Sequence, residues 1–320
     1  MLAPMLIAET LLAKTIVVLA ALLLSVAAGL LVPEGLRRFA VPALAERLAA
    51  GFTARLNRAG RSPTALAWRG GALTVILGLT GFGLGAAVER AAGLSPESWL
   101  LLPLALAACL ALIRPLHDGR RVLAVLERRG PTPPADERRV LPAQTIESLA
   151  AGLGAGLVAP VFWYVLLGLP GVGLLVACSA LDRAVQNPRQ TRSRFAQAPQ
   201  QIAVLVHLVP LWLSGLALLA ASILVPRCSP LAALGALREA MARPGWIVAN
   251  PAIAIVAGAL GAQLANHRAP TAQGWNFAVG GGFAPPLALH LKVALLLYGV
   301  ALIQALLVFL LGVHLAARVS

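Results

Sequence analysis

Residues 148–181 include no Asp, Glu, Lys or Arg, an uncharged run of 34 residues. Similar runs recur at 15–33, 70–88, 195–226 and 293–317, each 19 residues or longer. A helix needs about 20 apolar residues to cross the hydrocarbon core of a bilayer. Hydrocarbon offers backbone amides no hydrogen-bond partner, so each run must satisfy its own, as a helix does. The sequence therefore predicts an all-α, polytopic integral membrane helical bundle with basic cytoplasmic loops and short interfacial or re-entrant helices.

The composition agrees. Mean hydropathy is +0.84 and 12% of residues are charged, against about 25% in an ordinary soluble domain. The 320 residues suit a single membrane domain, 1–320, with spans near 11–32, 70–88, 98–113, 148–167, 171–181, 202–224 and 287–313. The start has Glu9 before Lys14 and no clear small-residue cleavage signal, so the first apolar run reads as a retained span.

The formal charge of +14 comes from arginine, since only Lys14 and Lys292 are lysines. Its distribution follows the rule that short cytoplasmic loops of membrane proteins carry the positive charge. The first basic loop, 33–69, holds Arg37, Arg38, Arg47, Arg55, Arg58, Arg61 and Arg69 and reads as a partly amphipathic segment lying on the membrane. The second, 114–144, holds Arg114, Arg120, Arg121, Arg128, Arg129, Arg138 and Arg139. The third is 182–194. Charge counting puts these loops inside, at the inner (plasma) membrane. It leaves the sidedness of 227–243 open. None of the loops is long enough to fold as a nucleic-acid-binding module. The alternative for the arginines is a phosphate-bearing ligand at the membrane face, which guanidinium forks suit.

Gly81-Phe82-Gly83-Leu84-Gly85 contains the spacing of small residues that lets helix backbones approach in lipid. The 34-residue run is long enough for two spans, broken at Gly168-Leu169-Pro170-Gly171. Residues 226–244 read as a surface helix, 252–264 as a short helix of small residues, and 267–283 as a loop.

Ionisable groups at membrane depth are expensive and therefore informative. Two carboxylates bracket the long run, Glu147 before it and Asp182 after it. If the run is a hairpin, both return to one membrane face and can lie close together. The alternative is structural: Glu147 complements a helix N-terminus, and Asp182 pairs with Arg183 or a loop arginine. His207, His290, Lys292 and His314 read as interfacial or locally satisfied groups. No histidine pair has metal-ligand spacing. Cys109, Cys178 and Cys228 are far apart, implying neither disulfides nor a metal site. No Walker or Ser-centred hydrolase motif occurs.

Glu147-Ser-Leu-Ala-Ala-Gly-Leu-Gly-Ala-Gly-Leu-Val-Ala-Pro160-Val-Phe162 resembles the signature E-T-V-A-E-N-T-V-D-G-x-x-A-P-x-F of the CobD/CbiB family of cobalamin-biosynthesis membrane proteins. Ser179-Ala-Leu-Asp182-Arg-Ala-Val185 is similar to the family's N-T-L-D-S-M-V, and His207-Leu-Val-Pro210 falls at its N-Y-L-P. Val256-Ala-Gly-Ala-Leu-Gly261 resembles its A-G-A-L-G core. Val41-Pro42-Ala43-Leu44 takes the place of H-P-V, and Arg114 that of the arginine in R-S-L. The matches keep their order over most of the chain. The chain departs from the pattern where family carboxylates or amides fall on Ala151, Gly152, Ala155, Ala203, Val204 and Ile253.

The resemblance implies a membrane-bound ligase that joins adenosylcobyric acid to aminopropanol or its phosphate, using ATP and Mg²⁺. On that reading Glu147 and Asp182 are the catalytic carboxylates, and Arg114, Arg120 and Arg121 face phosphate. The partners implied are the lipid bilayer, a corrinoid substrate and other corrinoid-pathway proteins. Two rival readings remain: a noncatalytic membrane scaffold or regulator of the same fold, and a small transporter, which only the number of spans suggests.

Overall fold

The computed structural model describes residues 2–31, 41–58, 60–94, 96–110, 113–127, 135–186, 194–242, 250–265, 278–279 and 287–319. Nearly all of these are helical. In chain order the helices are α1 (Leu2–Leu31), α2 (Val41–Leu56), α3 (Pro63–Ala92), α4 (Leu101–Cys109, after a 3₁₀ turn at Pro96–Leu100), α5 (Ile113–Glu127) and α6 (Ala135–Leu153). A π-helical turn, Gly154–Val158, joins α6 to α7 (Ala159–Leu167). Then come α8 (Leu169–Val185), α9 (Gln197–Leu224, after a 3₁₀ turn at Arg194–Ala196), α10 (Pro230–Met241), α11 (Pro251–Leu260) and α12 (Ala288–Val319). A two-residue antiparallel pairing, Leu264–Ala265 with Ala278–Val279, is the β structure among the described residues.

Several helix starts are written locally. Ser62-Pro63, Ser229-Pro230 and Asn250-Pro251 each put a capping side chain before a proline at the first helical position. The caps accept from Ala65 N at 3.3 Å, Ala232 N at 3.3 Å and Ala252 N at 3.0 Å. Proline there loses no helical hydrogen bond, and its φ suits the helix. Inside the helices, Thr53, Thr74, Thr80, Thr145 and Ser179 donate to the carbonyl four residues back. These hydroxyls thus satisfy themselves where water is scarce.

Among the described residues, five segments are long and apolar enough to cross a membrane: Leu12–Gly29, Pro63–Ala92, Leu141–Leu167, Arg194–Leu224 and Ala288–Gly312. Ser98–Cys109 and Pro251–Leu260 are shorter apolar helices. The whole of α11 is buried, in keeping with its small residues and with packing on every side. Helix α10 lies against it, and a Cβ on Gly258 would overlap the backbone of Ala232 and Ala233. Exposed Ile16, Leu23, Ile76, Leu79, Leu205, Ile223, Ile303 and Val308 lie on these long helices. In water they would be a liability, whereas facing lipid they are solvated.

Among the described residues the largest helix–helix interface is α3 with α8. The two helices run antiparallel, with Gly81 against Gly173 and Gly85 against Leu169 and Pro170. Gly81 and Gly85 are the small pair read from the sequence, and Gly83 faces open space. The far end of this interface is closed by Phe195, whose carbonyl abuts Gly70. Phe195 joins Ala49, Leu73, Ala180, Leu181 and Val185 in a core cluster under α2. A larger cluster unites α1, α4, α6, α9, α11 and α12 around Leu106, Ile146, Leu153, Leu218, Ile255 and Leu297.

Candidate functional site

The sequence places Glu147 at the start of a helix, but the structure shows α6 beginning at Ala135. Glu147 therefore lies three turns inside α6, where it complements no N-terminus. It is 8% exposed and flanked by buried Thr145, Ile146, Leu149 and Ala150. A buried carboxylate is costly unless positive charge or donors meet it. The neighbouring helix α5 packs on the face of α6 that carries Leu149 and Gly152. A Cβ on Gly119 would lie 3.6 Å from Leu149 Cδ1, and one on Gly152 would lie 2.7 Å from Pro115 Cγ. Residue 119 thus stands opposite 149, and 115 opposite 152. The same antiparallel register brings Arg120 and Arg121 to the height of Glu147, but two positions along a helix turn about 200°, so Glu147 points away from the face of α6 that meets α5. Both arginines are exposed at their residue level. Arg114 is on α5 as well, but its side chain lies outside the described residues. Helix α5 is also tied to α12 by an ion pair between Lys292 and Glu127.

Asp182 sits one turn from the end of α8 and accepts from Gln186 Nε2 at 2.8 Å. Arg183 pairs with Glu46 of α2, at 3.7 Å. Helix α8 packs on α2, α3 and α9, whereas α6 packs on α5, α11 and α12. Among the described residues α6 and α8 share no extended interface, so Glu147 and Asp182 belong to two separate polar groups.

The second group has members that reading the residues one by one did not join. Ser179 and His207, on α8 and α9, meet at 2.8 Å between Oγ and Nε2. Arg183 Nε donates to the Ser179 carbonyl at 3.2 Å. Glu46, Arg183, Ser179 and His207 thus form a polar seam across α2, α8 and α9. Ser179 and His207 both occupy positions of the motifs quoted above, and that order was the available signal. Neither residue type alone implies the pairing, which only helix packing creates.

At the opposite end of α8, Gly168 turns the chain with φ 71° and ψ −157°. Glu89 Oε2, at the end of α3, accepts from Leu169 N at 3.2 Å. Lys14 Nζ donates to Val165 O at 2.9 Å, satisfying a carbonyl in the last turn of α7. The π turn packs against α9, with Gly154 at Ser214 and Leu211. Nearby, the Trp163 indole donates to Val206 O at 3.0 Å. At the positions where the quoted motifs carry acids, Ala151, Ala203 and Ile253 are buried at 6%, 5% and 2% exposure.

Among the described residues no group of three or more His, Cys, Asp and Glu gathers as a metal site would require. The exposed guanidinium forks of Arg120 and Arg121 are of the type that suits phosphate oxygens. Any Mg²⁺ would arrive on a nucleotide's phosphates rather than on a preformed carboxylate cluster.

Fold and polar groups together define a multi-pass α-helical membrane protein with ionisable residues held between its helices. The chain belongs to the CobD/CbiB family: the family model described as "CobD/Cbib protein" matches residues 18–298. It is similar to the cobalamin biosynthesis protein CobD of Rhodobacter capsulatus, 31% identical over 48% of this chain and 46% of that protein. A CobD from a Sinorhizobium species is 31% identical over 68% of this chain and 72% of its own. The probable CobD of Methanothermobacter thermautotrophicus is 27% identical over 34% of this chain and 36% of its own. The match spans about half the length of the Rhodobacter relative. No solved structure matches.

Proposed function

We propose that this protein acts in cobalamin biosynthesis at the inner membrane, as an ATP-dependent synthase that joins adenosylcobyric acid to aminopropanol or its phosphate through an amide. Joining an acid to an amine expels the elements of water. A nucleoside triphosphate drives this by converting the carboxylate into an acyl phosphate. The amine nitrogen then forms the C–N bond as the C–O bond to phosphate breaks, and the amine's proton passes to a base.

The observation that carries the reading is the match of the family model over residues 18–298, with Glu147 buried inside the segment that carries the family signature. Fixed cations beside a phosphoryl group stabilise its charge where water is excluded. Arg120 and Arg121, on the exposed side of α5, bind and orient phosphate, and Glu147 is the buried carboxylate of the signature segment. Asp182, in the other polar group, lies on the side of the amine substrate. The bilayer and the corrinoid are the partners this role requires.

The test is direct. Purified full-length protein in lipid nanodiscs, given adenosylcobyric acid, ATP, Mg²⁺ and aminopropanol phosphate, yields the amide by mass spectrometry. Glu147→Ala abolishes it. The gene also restores a strain lacking the synthase. No product where an intact relative works would overturn the reading. A noncatalytic scaffold of the same fold is the second reading. It is favoured by the apolar packing of Ala151, Ala203 and Ile253, and it predicts that Glu147→Ala and Asp182→Ala leave the cellular phenotype intact.

A further inference from the structure

We infer that the seam between α8 and α9 is the amine-binding site, with Nδ1 of His207 as the atom that accepts an N–H of the amine substrate. The inference rests on the synthase reading above and adds to it a place and an atom. It starts from a hydrogen count. The Ser179 hydroxyl has one hydrogen and donates it to Leu175 O at 2.7 Å. Toward the ring, 2.8 Å away, it therefore accepts, and Nε2 is the protonated nitrogen. Nδ1 is left as a bare acceptor. It is sealed from solvent and has no hydrogen-bond partner among the described residues.

An acceptor in this state, between helices in a membrane, calls for a donor that the described residues do not supply. Two turns nearer the start of α9, on the same helical face, Gln200 holds the complementary vacancy. Its Nε2 is a buried donor with no partner among the described residues. Residues i and i+7 share a face, and buried Ala203 between them leaves that face low. Arg183, about half exposed, borders the same seam from α8. The order of groups is acceptor deep, neutral donor nearer the loop, and cation at the edge. That order fits a short amino alcohol or its phosphate ester, entering amine first with its oxygen or phosphate toward Arg183. A lone amine would leave the Gln200 donor unused. Inorganic phosphate would leave Nδ1 of His207 without a donor.

Two near-isosteric variants separate this role from a structural one. In His207→Asn the amide oxygen reaches the place of Nδ1, and the Ser179 bond is lost. In His207→Gln the amide reaches Ser179 as Nε2 does, and the Nδ1 acceptor is lost. Calorimetric titration of the full-length protein in nanodiscs with aminopropanol phosphate is expected to show binding by the wild type and by His207→Asn. Binding by His207→Gln is expected to be at least tenfold weaker. Arg183→Gln should weaken the phosphate ester while leaving free aminopropanol unchanged, which identifies the form recognised. In ¹⁵N-histidine-labelled wild type, which has 5 histidines, the Nδ1 resonance of His207 should move when the amine is added.

Wild-type binding with Gln tolerated and Asn disrupted would overturn the inference and mark His207 as a packing residue. So would equal binding by both variants, or an unmoved Nδ1 resonance in the presence of bound amine. In each of those cases the synthase reading stands. Absence of amine binding by the wild type would overturn both.

Discussion

The carbonyl of Gly173 occupies the place a Cβ on Gly81 would need, and the carbonyl of Gly81 occupies the place a Cβ on Gly173 would need. This reciprocal backbone contact is the tightest point of the α3–α8 interface. In lipid no hydrophobic force joins helices, and close packing takes its place. Gly81→Ala is therefore expected to lower the melting temperature in detergent, by about 1–3 kcal/mol of stability for overpacking. Gly83, two residues away, has open space around it. Gly83→Ala is expected to be neutral, or stabilising by up to about 1 kcal/mol through helix propensity. Equal effects at the two positions would refute this account of the interface.

The turn at Gly168 has a stricter demand. Its φ of 71° with ψ −157° lies in a region open essentially to glycine alone, costing other residues about 1–3 kcal/mol. A Cβ there would also come within 2.5 Å of Glu89 Oε2. Gly168→Ala should thus destabilise strongly. Glu89→Leu should cost about 1 kcal/mol, the value of a lost N-terminal cap, and Glu89→Gln less. Thermal unfolding of the three variants gives the ranking.

The two lysines are expected to differ in worth. Lys14 is half-buried and donates to Val165 O, and a hydrogen bond to a charged group contributes about 1.5–3 kcal/mol. Lys292 pairs with Glu127, but the two side chains are 52% and 46% exposed. Exposed pairs contribute about 0–1 kcal/mol. Lys14→Met should therefore lower the melting temperature clearly, while Lys292→Met should barely move it and should lose any effect at high salt.

Arg120→Gln and Arg121→Gln should each raise the KM for nucleotide at least several-fold in the amide-forming assay, with the fold retained as judged by unchanged melting. The expectation follows from their exposed place on α5, within the second basic loop. The double variant should lose nearly all product. If nucleotide KM is unmoved in both, phosphate is bound elsewhere.

Much of this was legible before any coordinate. The spacing of Gly81 and Gly85 and the break at Gly168-Leu169-Pro170 are local statements, set by backbone conformation and hydrogen-bond need within a few residues. The ordered motifs, too weak singly, pointed to the family that the comparison bears out. That α6 runs unbroken from its charged start was not legible, because Pro142 is a helix breaker by type; the helix passes through it and begins twelve residues before Glu147. Nor was the partition of the polar residues, which follows from which helix faces meet.

The sequence by itself determined that the chain is a bundle of helices in lipid, because hydrocarbon leaves an uncharged backbone no other way to satisfy its amides. Only the tertiary structure decided which helices pair: among the described residues α6 with Glu147 and α8 with Asp182 share no extended interface, and Ser179 meets His207. Those pairings depend on the register between helices far apart in the chain, and apolar periodicity leaves that register open until glycine contacts and side-chain shapes fix it.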